Sequence, residues 1–459
     1  MTTLRQTAEK VVHRLQEAGY SAFWVGGCVR DVLLGQDPAD YDIATAATPA
    51  QVESLFPQTV SVGRQFGVVV VVEDHYSIQV ATFRAESDYE DGRHPKNVTF
   101  SDAKADAERR DFTINGLFFD PVRQELHDWV GGKQDLTSGV IRTIGSPVER
   151  FAEDHLRMLR AIRFATQLNF KLAPETLAAV KAHAPQIRSI SAERIREELI
   201  KLFKPPYARR GLELFRESGL MLEILPELAA TIECHQSPNY HPEGSVYNHI
   251  GLMLEHMKAD ASPALPWAVL LHDIAKPVTA SRDPENDSIH FYGHERVGAE
   301  MAEQILERLR FPRKEIEEIA LAVRCHMQFK DAPEMRQATL RRLLMRPTFP
   351  LELELHRLDC VGSHGRLDIY DFLVAQSREL ENKPQIRPPL LGGDELLALG
   401  IKPGPALGQL LERVRDKQLQ EELHTPEEAI AWVKQQIAEE SSEPGNQSHG
   451  EDRKHGDQR

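Results

Sequence analysis

The periodicity of the chain changes once, and that change restricts the fold more than any other feature. From about Ala22 to Asp120, apolar runs alternate with turn signals, so Phe23 to Val25, Val68 to Val72, Ile78 to Phe83 and Leu117 to Phe119 read as strands. From about Val148 the apolar residues fall at helical spacing, with Leu156, Leu159, Ile162 and Phe164 opening a long succession of helices. No further strand is expected. The fold class is therefore α+β: a small mixed-sheet head followed by an all-helical neck, body and tail. Met1 to Gly19 reads as a charged amphipathic helix in front of the head.

Proline marks the seams. Ser146-Pro147, Lys204-Pro205-Pro206 and Lys383 to Pro389 interrupt the helical pattern. The expected division is a head over 1–146, a neck over 147–206, a body over 207–382 and a tail over 383–438. Residues 439–459 are charged, polar and free of large apolar side chains, and are expected to be disordered. A chain of 459 residues is too long for one core. Its 41% hydrophobic and 27% charged residues fit a soluble globular protein, and no run approaches the roughly 20 apolar residues of a membrane span. Cys28, Cys234, Cys325 and Cys360 lack zinc-ligand spacing and fit a reducing compartment, so a cytoplasmic location without a membrane partner is expected. A net charge of −15 argues against indiscriminate coating of nucleic acid but leaves room for a folded RNA held by local basic patches.

Within the head, Gly26-Gly27 precedes Asp40-Tyr41-Asp42 by one short helix. Strand periodicity would turn Asp40 and Asp42 to one face, close enough to bracket divalent cations. Such a pair suits metal-assisted phosphoryl or nucleotidyl transfer, and a glycine turn feeding a helix near Cys28 lets backbone N–H groups approach a polyphosphate. Each part alone reads more readily as a turn or a solvated strand end; their order makes the combination specific. Arg84, closing Thr82-Phe83-Arg84, is a candidate phosphate clamp, and the polar stretch from Ala85 to Phe100 is long enough to move. In Arg109-Arg110-Asp111-Phe112-Thr113-Ile114-Asn115 the arginines suit a triphosphate and Asn115 a ribose hydroxyl, a solvated helix start being the alternative.

Glu153-Asp154-His155-Leu156-Arg157 is read as the opening of the first neck helix, with Asp154 and Arg157 on one face and Glu153 holding the guanidinium. That pair would hydrogen-bond the Watson–Crick edge of a base and so select nucleotides without a template; a surface salt bridge is the alternative. Arg160 and Arg163 extend a basic stripe on the same side. Far downstream, His249, His272, Asp273, His294, His326 and Asp359 form a second metal-binding candidate. His272-Asp273 falls in an apolar helix expected over Leu265 to Ile274, where adjacent polar groups are expensive unless they bind something.

Taken in order, Gly26-Gly27-x-x-Arg30-Asp31, Asp40-x-Asp42, Arg109 to Asn115, Glu153-Asp154-x-x-Arg157 and Ser191-Ala192-Glu193-Arg194-Ile195 resemble the bacterial class II tRNA nucleotidyltransferase and poly(A) polymerase family fused to an HD phosphohydrolase domain. The resemblance runs from Val25 to about Ile437. It implies a seahorse-like arrangement with tRNA lying along it, CTP and ATP as substrates, and attack of the tRNA 3′-hydroxyl on an α-phosphate. It further implies Mg²⁺ on Asp40 and Asp42, triphosphate contacts from Gly26, Gly27 and Arg30, and ribose contacts from Asp111 and Asn115. Asp154 and Arg157 would read the base, oriented by Glu153. His249, His272, Asp273 and Asp359 would ligate one divalent metal of unspecified identity, with His294 and His326 available for a second. Leu390 to Pro405 would meet the tRNA elbow. Two departures stand out: Gln79 where relatives carry an acid, and Arg93-His94-Pro95 for Arg-Arg-Pro. An enzyme adding only A, a poly(A) polymerase and an HD phosphohydrolase acting on nucleotides or RNA ends are the alternatives.

Overall fold

The computed structural model describes residues 2–60, 67–89, 95–237, 241–285, 288–382, 389–420 and 422–442. Arg93 and His94, and residues 383–388 and 443–459, lie outside them. Among the described residues, the strands from Ala22 to His127 are β1 (Ala22–Val25), β2 (Asp42–Thr45), β3 (Thr59–Val60), β4 (Val68–Glu73), β5 (Tyr76–Thr82), β6 (Arg84–Tyr89), β7 (Pro95–Phe100), β8 (Phe118–Asp120) and β9 (Glu125–His127). Seven of them make one sheet in the order β3-β4-β5-β2-β1-β8-β9, parallel only between β2 and β5. The expected mixed sheet is present. Within the polar stretch from Ala85 to Phe100, the described residues form β6 paired antiparallel with β7.

The first nine helices are α1 (Leu4–Glu17), α2 (Gly27–Leu33), α3 (Pro49–Leu55), α4 (Ala103–Glu108), α5 (Gly132–Ser138), α6 (Pro147–Glu153), α7 (Leu156–Gln167), α8 (Pro174–His183) and α9 (Ala192–Leu202). A capping box starts α1: Thr3 Oγ1 accepts from the Gln6 amide at 3.3 Å, and Gln6 Oε1 accepts from the Thr3 amide at 3.0 Å. Its buried stripe, Thr7, Ala8, Val11, Val12 and Leu15, lies over β1, β2 and β5. A further cluster of the head joins Val25, Ala44, Phe83, Ala107 and Phe118. The β4–β5 hairpin turns through Asp74 and His75, both at positive φ, as a two-residue turn between right-twisted strands demands.

Two short pairings depart from the all-helical expectation beyond the head. Lys171–Leu172 runs parallel to Val140–Ile141, and Ser281–Arg282 pairs with Ile289–His290. Each strand spans two residues, too few to leave a period-two signature. The chain divides into two compact units, Met1–His326 with Glu354–Arg366, and Met327–Leu353 with Leu367–Arg459. The second holds two apolar clusters, one around Phe329, Leu340, Leu343, Phe349 and Leu373, the other around Leu391, Leu396, Val414, Ala429 and Val433. Its last helix, Pro426–Ser442, extends over the first four residues expected to be disordered. Among the described residues, no helix is long and apolar enough to cross a membrane.

Candidate active site and candidate metal centre

Antiparallel pairing of β1 with β2 sets Val25 opposite Asp42, so the glycine turn leaving one strand meets the acidic entry of the other at the same end of the sheet. Asp42 opens β2, whereas Asp40 precedes the strand and is exposed, with Tyr41 buried between them. The carboxylates are therefore strand entry and lead-in rather than two positions of one strand. Burial, then the charge of Asp40, raises the Asp42 pKa, and Arg110 opposes them. Two oxygen donors that repel each other in a half-buried setting fit a hard divalent cation such as Mg²⁺. Gln79, on the parallel neighbour β5, stands beside Asp42 in register, so the departure read from sequence falls on the strand next to the acid.

Gly26 adopts φ +74° and ψ −128°, a region closed to side-chain-bearing residues, and a Cβ there would lie 3.0 Å from Arg110 Nη1. The flexible guanidinium would yield, but the backbone would not. Gly26→Ala is expected to strain the turn by about 1–3 kcal/mol and raise the KM for nucleotide about tenfold, measured by steady-state addition kinetics.

The arginines expected at the triphosphate are fixed by an acid that sequence reading passed over. Asp106, on α4 and fully buried, accepts from Arg109 at 2.9 and 2.7 Å and from Arg110 at 3.3 and 3.1 Å, and its Oδ1 also accepts from the Arg84 amide at 3.2 Å. The signal was its spacing three and four residues ahead of the arginines. Beyond it, Arg30 of α2 donates to Asp31 at 2.8 Å and to Asn115 Oδ1 at 3.0 Å. Asn115 Nδ2 donates to Asp111 Oδ1 at 3.1 Å, and Arg160 of α7 binds Asp111 Oδ2 at 2.9 and 2.6 Å.

Burial alone would raise the Asp111 pKa, but the Arg160 guanidinium and the Asn115 amide outweigh it and hold the carboxyl at about 2. A depressed carboxylate adds stability above its unfolded pKa, and that stability is lost as pH falls through the folded value. The contribution at neutral pH is on the order of 2 kcal/mol. Asp111→Asn should remove it and flatten the acid limb of the stability profile between pH 4 and pH 2, measured by urea unfolding across that range.

Glu153 and Asp154 do not open one helix with Arg157. Glu153 ends α6, Asp154 is extended at φ −146° and ψ 106°, and α7 starts at Leu156. Asp154 Oδ1 caps α7 by accepting from the Leu156 amide at 3.0 Å, and its Oδ2 pairs with Arg194 of α9 at 2.7 Å. Arg157 is gripped by Glu153 and donates to the Arg150 carbonyl at 3.1 Å, so Glu153 does hold the guanidinium. Arg194 lies in a quoted motif yet received no role from sequence. Arg160 and Arg163 share a side, as expected, and both face Glu198 of α9, which is buried; Arg163 also lies 3.9 Å over the Phe164 ring.

The distant histidines also converge. His272 caps the helix Leu265–Leu271 instead of continuing it to Ile274, and Asp273 follows in the turn. His272, His294 and His326 each pair Nδ1 with a backbone carbonyl, of Val269, Phe291 and Val323, at 2.6–2.9 Å. Their Nε2 atoms therefore turn to Asp273, at 3.1, 3.3 and 3.7 Å. His249 Nε2 lies 3.0 Å from Asp359 Oδ1. His249 Nε2, His272 Nε2 and Asp273 Oδ1 are buried without an aligned hydrogen bond. Convergent imidazole nitrogens and carboxylates left this way fit a divalent metal ion. Lys276, absent from the sequence reading, pairs with Asp273 at 2.6 Å. Burial pushes the His326 pKa down to about 4, which keeps its lone pair free at neutral pH.

Comparison with known proteins places these sites in context. Residues 22–142 match the poly A polymerase head domain, 169–232 the probable RNA and SrmB-binding site of polymerase A, and 245–361 the HD domain. The chain is 35% identical over 438 residues to an A-adding tRNA nucleotidyltransferase of Deinococcus radiodurans, across 92% of this chain and 96% of that one. It is 49% identical over 215 residues to a CCA-adding enzyme of Bacillus pumilus, across 47% of this chain and 54% of that one, so the chain spans about half the length of such CCA-adding relatives. The crystal structure of the Bacillus stearothermophilus CCA-adding enzyme in complex with CTP superposes with a TM-score of 0.74 at 27% identity, covering 96% of this chain and 99% of that one. The Thermotoga maritima CCA-adding enzyme complexed with tRNA shares the fold, with a TM-score of 0.57 at 19% identity and 94% of each chain covered.

Proposed function

The chain belongs to the class II tRNA nucleotidyltransferase and poly(A) polymerase family with a fused HD domain, and on that footing we propose that it adds CMP and AMP to the 3′ end of tRNA from CTP and ATP, releasing pyrophosphate. The observation that carries this reading is the meeting of Gly26, Asp42 and Arg110 at one end of the head sheet. Divalent cations held by Asp40 and Asp42 supply the charge neutralisation and hydroxyl activation that such a transfer needs. Gly26, Gly27 and Arg30 offer backbone and guanidinium donors to the triphosphate, and Asp106 presets Arg109 and Arg110 for the same charge. Arg157, fixed by Glu153, and Asp154, fixed by Arg194, present a donor fork and an acceptor to the base. The division into head 1–146, neck 147–206, body 207–382 and tail 383–438 goes with this reading, the tail contacting tRNA.

Incubating the protein with tRNA lacking its terminal CCA, Mg²⁺, and CTP and ATP separately and together tests it. Addition of three residues is the expected result; failure to incorporate either nucleotide sinks the proposal. A second reading, addition of the final A alone, is favoured by the Deinococcus relative, which matches over nearly its whole length. It predicts that only tRNA already ending in CC accepts a nucleotide, and one only. The buried His/Asp cluster supports an additional metal-dependent hydrolysis of a phosphodiester or cyclic phosphate, which would vanish in Asp273→Ala and persist in Asp42→Ala.

A further inference from the structure

One histidine of the His/Asp cluster is held differently from the rest. His272, His294 and His326 rest their Nδ1 atoms on backbone carbonyls; His249 Nδ1 hydrogen-bonds the Gly362 carbonyl at 3.3 Å and has, closer still at 2.9 Å, a carboxylate oxygen of Glu243 in ionic contact. The same Glu243 oxygen sits 2.8 Å from His241 Nδ1. Glu243 and His241 both precede residues 245–361, the segment that matches the HD domain, so the matched domain does not supply them.

The three residues lie close enough to hold an ion of their own. Chemistry argues otherwise. His249 Nδ1 has two acceptors beside it, Glu243 and the Gly362 carbonyl, and His241 Nδ1 has Glu243, so these nitrogens carry protons and are no ligands. Nε2 of His249, on the far side of the ring, is the nitrogen left for a metal: it faces Asp359 at 3.0 Å, where a cation bound between them would take the place of a proton. A carboxylate on the rear N–H of a metal-binding imidazole fixes its tautomer and orientation and raises its basicity. The Glu243 side chain is itself 5% exposed, so little solvent screens that effect.

We infer that Glu243 is a positioning residue for the metal centre: it holds His249 by Nδ1 and strengthens Nε2 as a ligand, with His241 as its own support. The inference rests on the reading that the His/Asp cluster binds a divalent metal. Loss of the carboxylate leaves the Gly362 carbonyl to take the Nδ1 proton, so orientation is partly retained while the charge is lost. Glu243→Gln isolates the charge at nearly constant size.

Equilibrium dialysis of the full chain against Co²⁺ tests it, the portion bound by the parent and lost in Asp273→Ala defining the site. Glu243→Gln and Glu243→Ala should bind Co²⁺ at that site about ten- to a hundred-fold more weakly with unchanged stoichiometry, and the visible absorption of the bound Co²⁺ should shift. Glu243→Asp should recover part of the affinity. Parent-like affinity in Glu243→Gln and Glu243→Ala, with parent-like thermal melts, overturns the inference. So does the loss of one ion without weaker binding of the remainder, which would make Glu243 a direct ligand. A parent that binds no Asp273-dependent Co²⁺ overturns the metal reading and the inference together, a result distinct from both others.

Discussion

Asp42→Asn is expected to lower nucleotide addition about a thousand-fold, which corresponds to about 4 kcal/mol of transition-state stabilisation. The substitution keeps the shape of the side chain and removes the charge that would hold a cation. The fold should not suffer. A carboxylate whose folded pKa lies above its unfolded value stabilises the folded state only while protonated, and that contribution is lost as pH rises through the folded pKa. Asp42 is such a group, raised by burial and by Asp40, so at neutral pH without metal its charge opposes folding. The variant's melting temperature in EDTA should equal or exceed the parent's while single-turnover addition collapses. Addition above a tenth of the parent rate would remove Asp42 from the chemistry; a lower melting temperature would contradict the electrostatic account.

Glu198→Ala should produce the largest loss of stability. Glu198 lies 2.7 Å from Arg163 and 3.8 Å from Arg160, and both it and Arg163 are buried. The closer contact is made without hydrogen-bond alignment, so its strength is mainly charge on charge. Burial, the largest influence on Arg163, together with the charges of Arg160 and Arg30, pushes its pKa down to about 10 despite Glu198 and Asp111. Truncating one partner of a buried pair strands the other, at about 3–5 kcal/mol. The urea midpoint of Glu198→Ala should fall accordingly, and Glu198→Gln should recover little of the loss, because the amide fills the space but carries no charge. Because Arg160 also binds Asp111, the network reaches the Asp111–Asn115–Arg30 chain, and nucleotide affinity should weaken in the alanine variant as well. An unfolding free energy within about 0.5 kcal/mol of the parent's would show the pair to be worth no more than an exposed ion pair.

Much of the head was legible because its signals are local. Strand alternation located β1, β4, β5 and β8, and the glycine pair located the start of α2. The Glu153–Arg157 segment misled because three-residue spacing implies a shared helix face only within one helix, and Asp154 breaks it. His272-Asp273 was rightly singled out as costly in an apolar segment, although the helix stops before it. Asp106, Arg194, Glu198 and Glu243 went unassigned because ordinary helix and loop surfaces are full of such charges; burial distinguishes the three acids, and its pairing with Asp154 distinguishes Arg194.

What the sequence determined by itself was local and additive: the α+β class, the Gly26-Gly27 turn, the acidic pair Asp40 and Asp42, and the set of histidines able to bind metal. Tertiary structure decided which of these meet. Antiparallel pairing of β1 with β2 carries Asp42 to the glycine turn, the packing of α7 on α9 buries Arg163 against Glu198, and four separate segments bring His249, Asp273, His294 and His326 to one point. The reason is physical. Propensity and periodicity act over a few residues, whereas the partner of a buried charge is chosen by the whole chain, since any fold that left it unpaired would lose several kcal/mol.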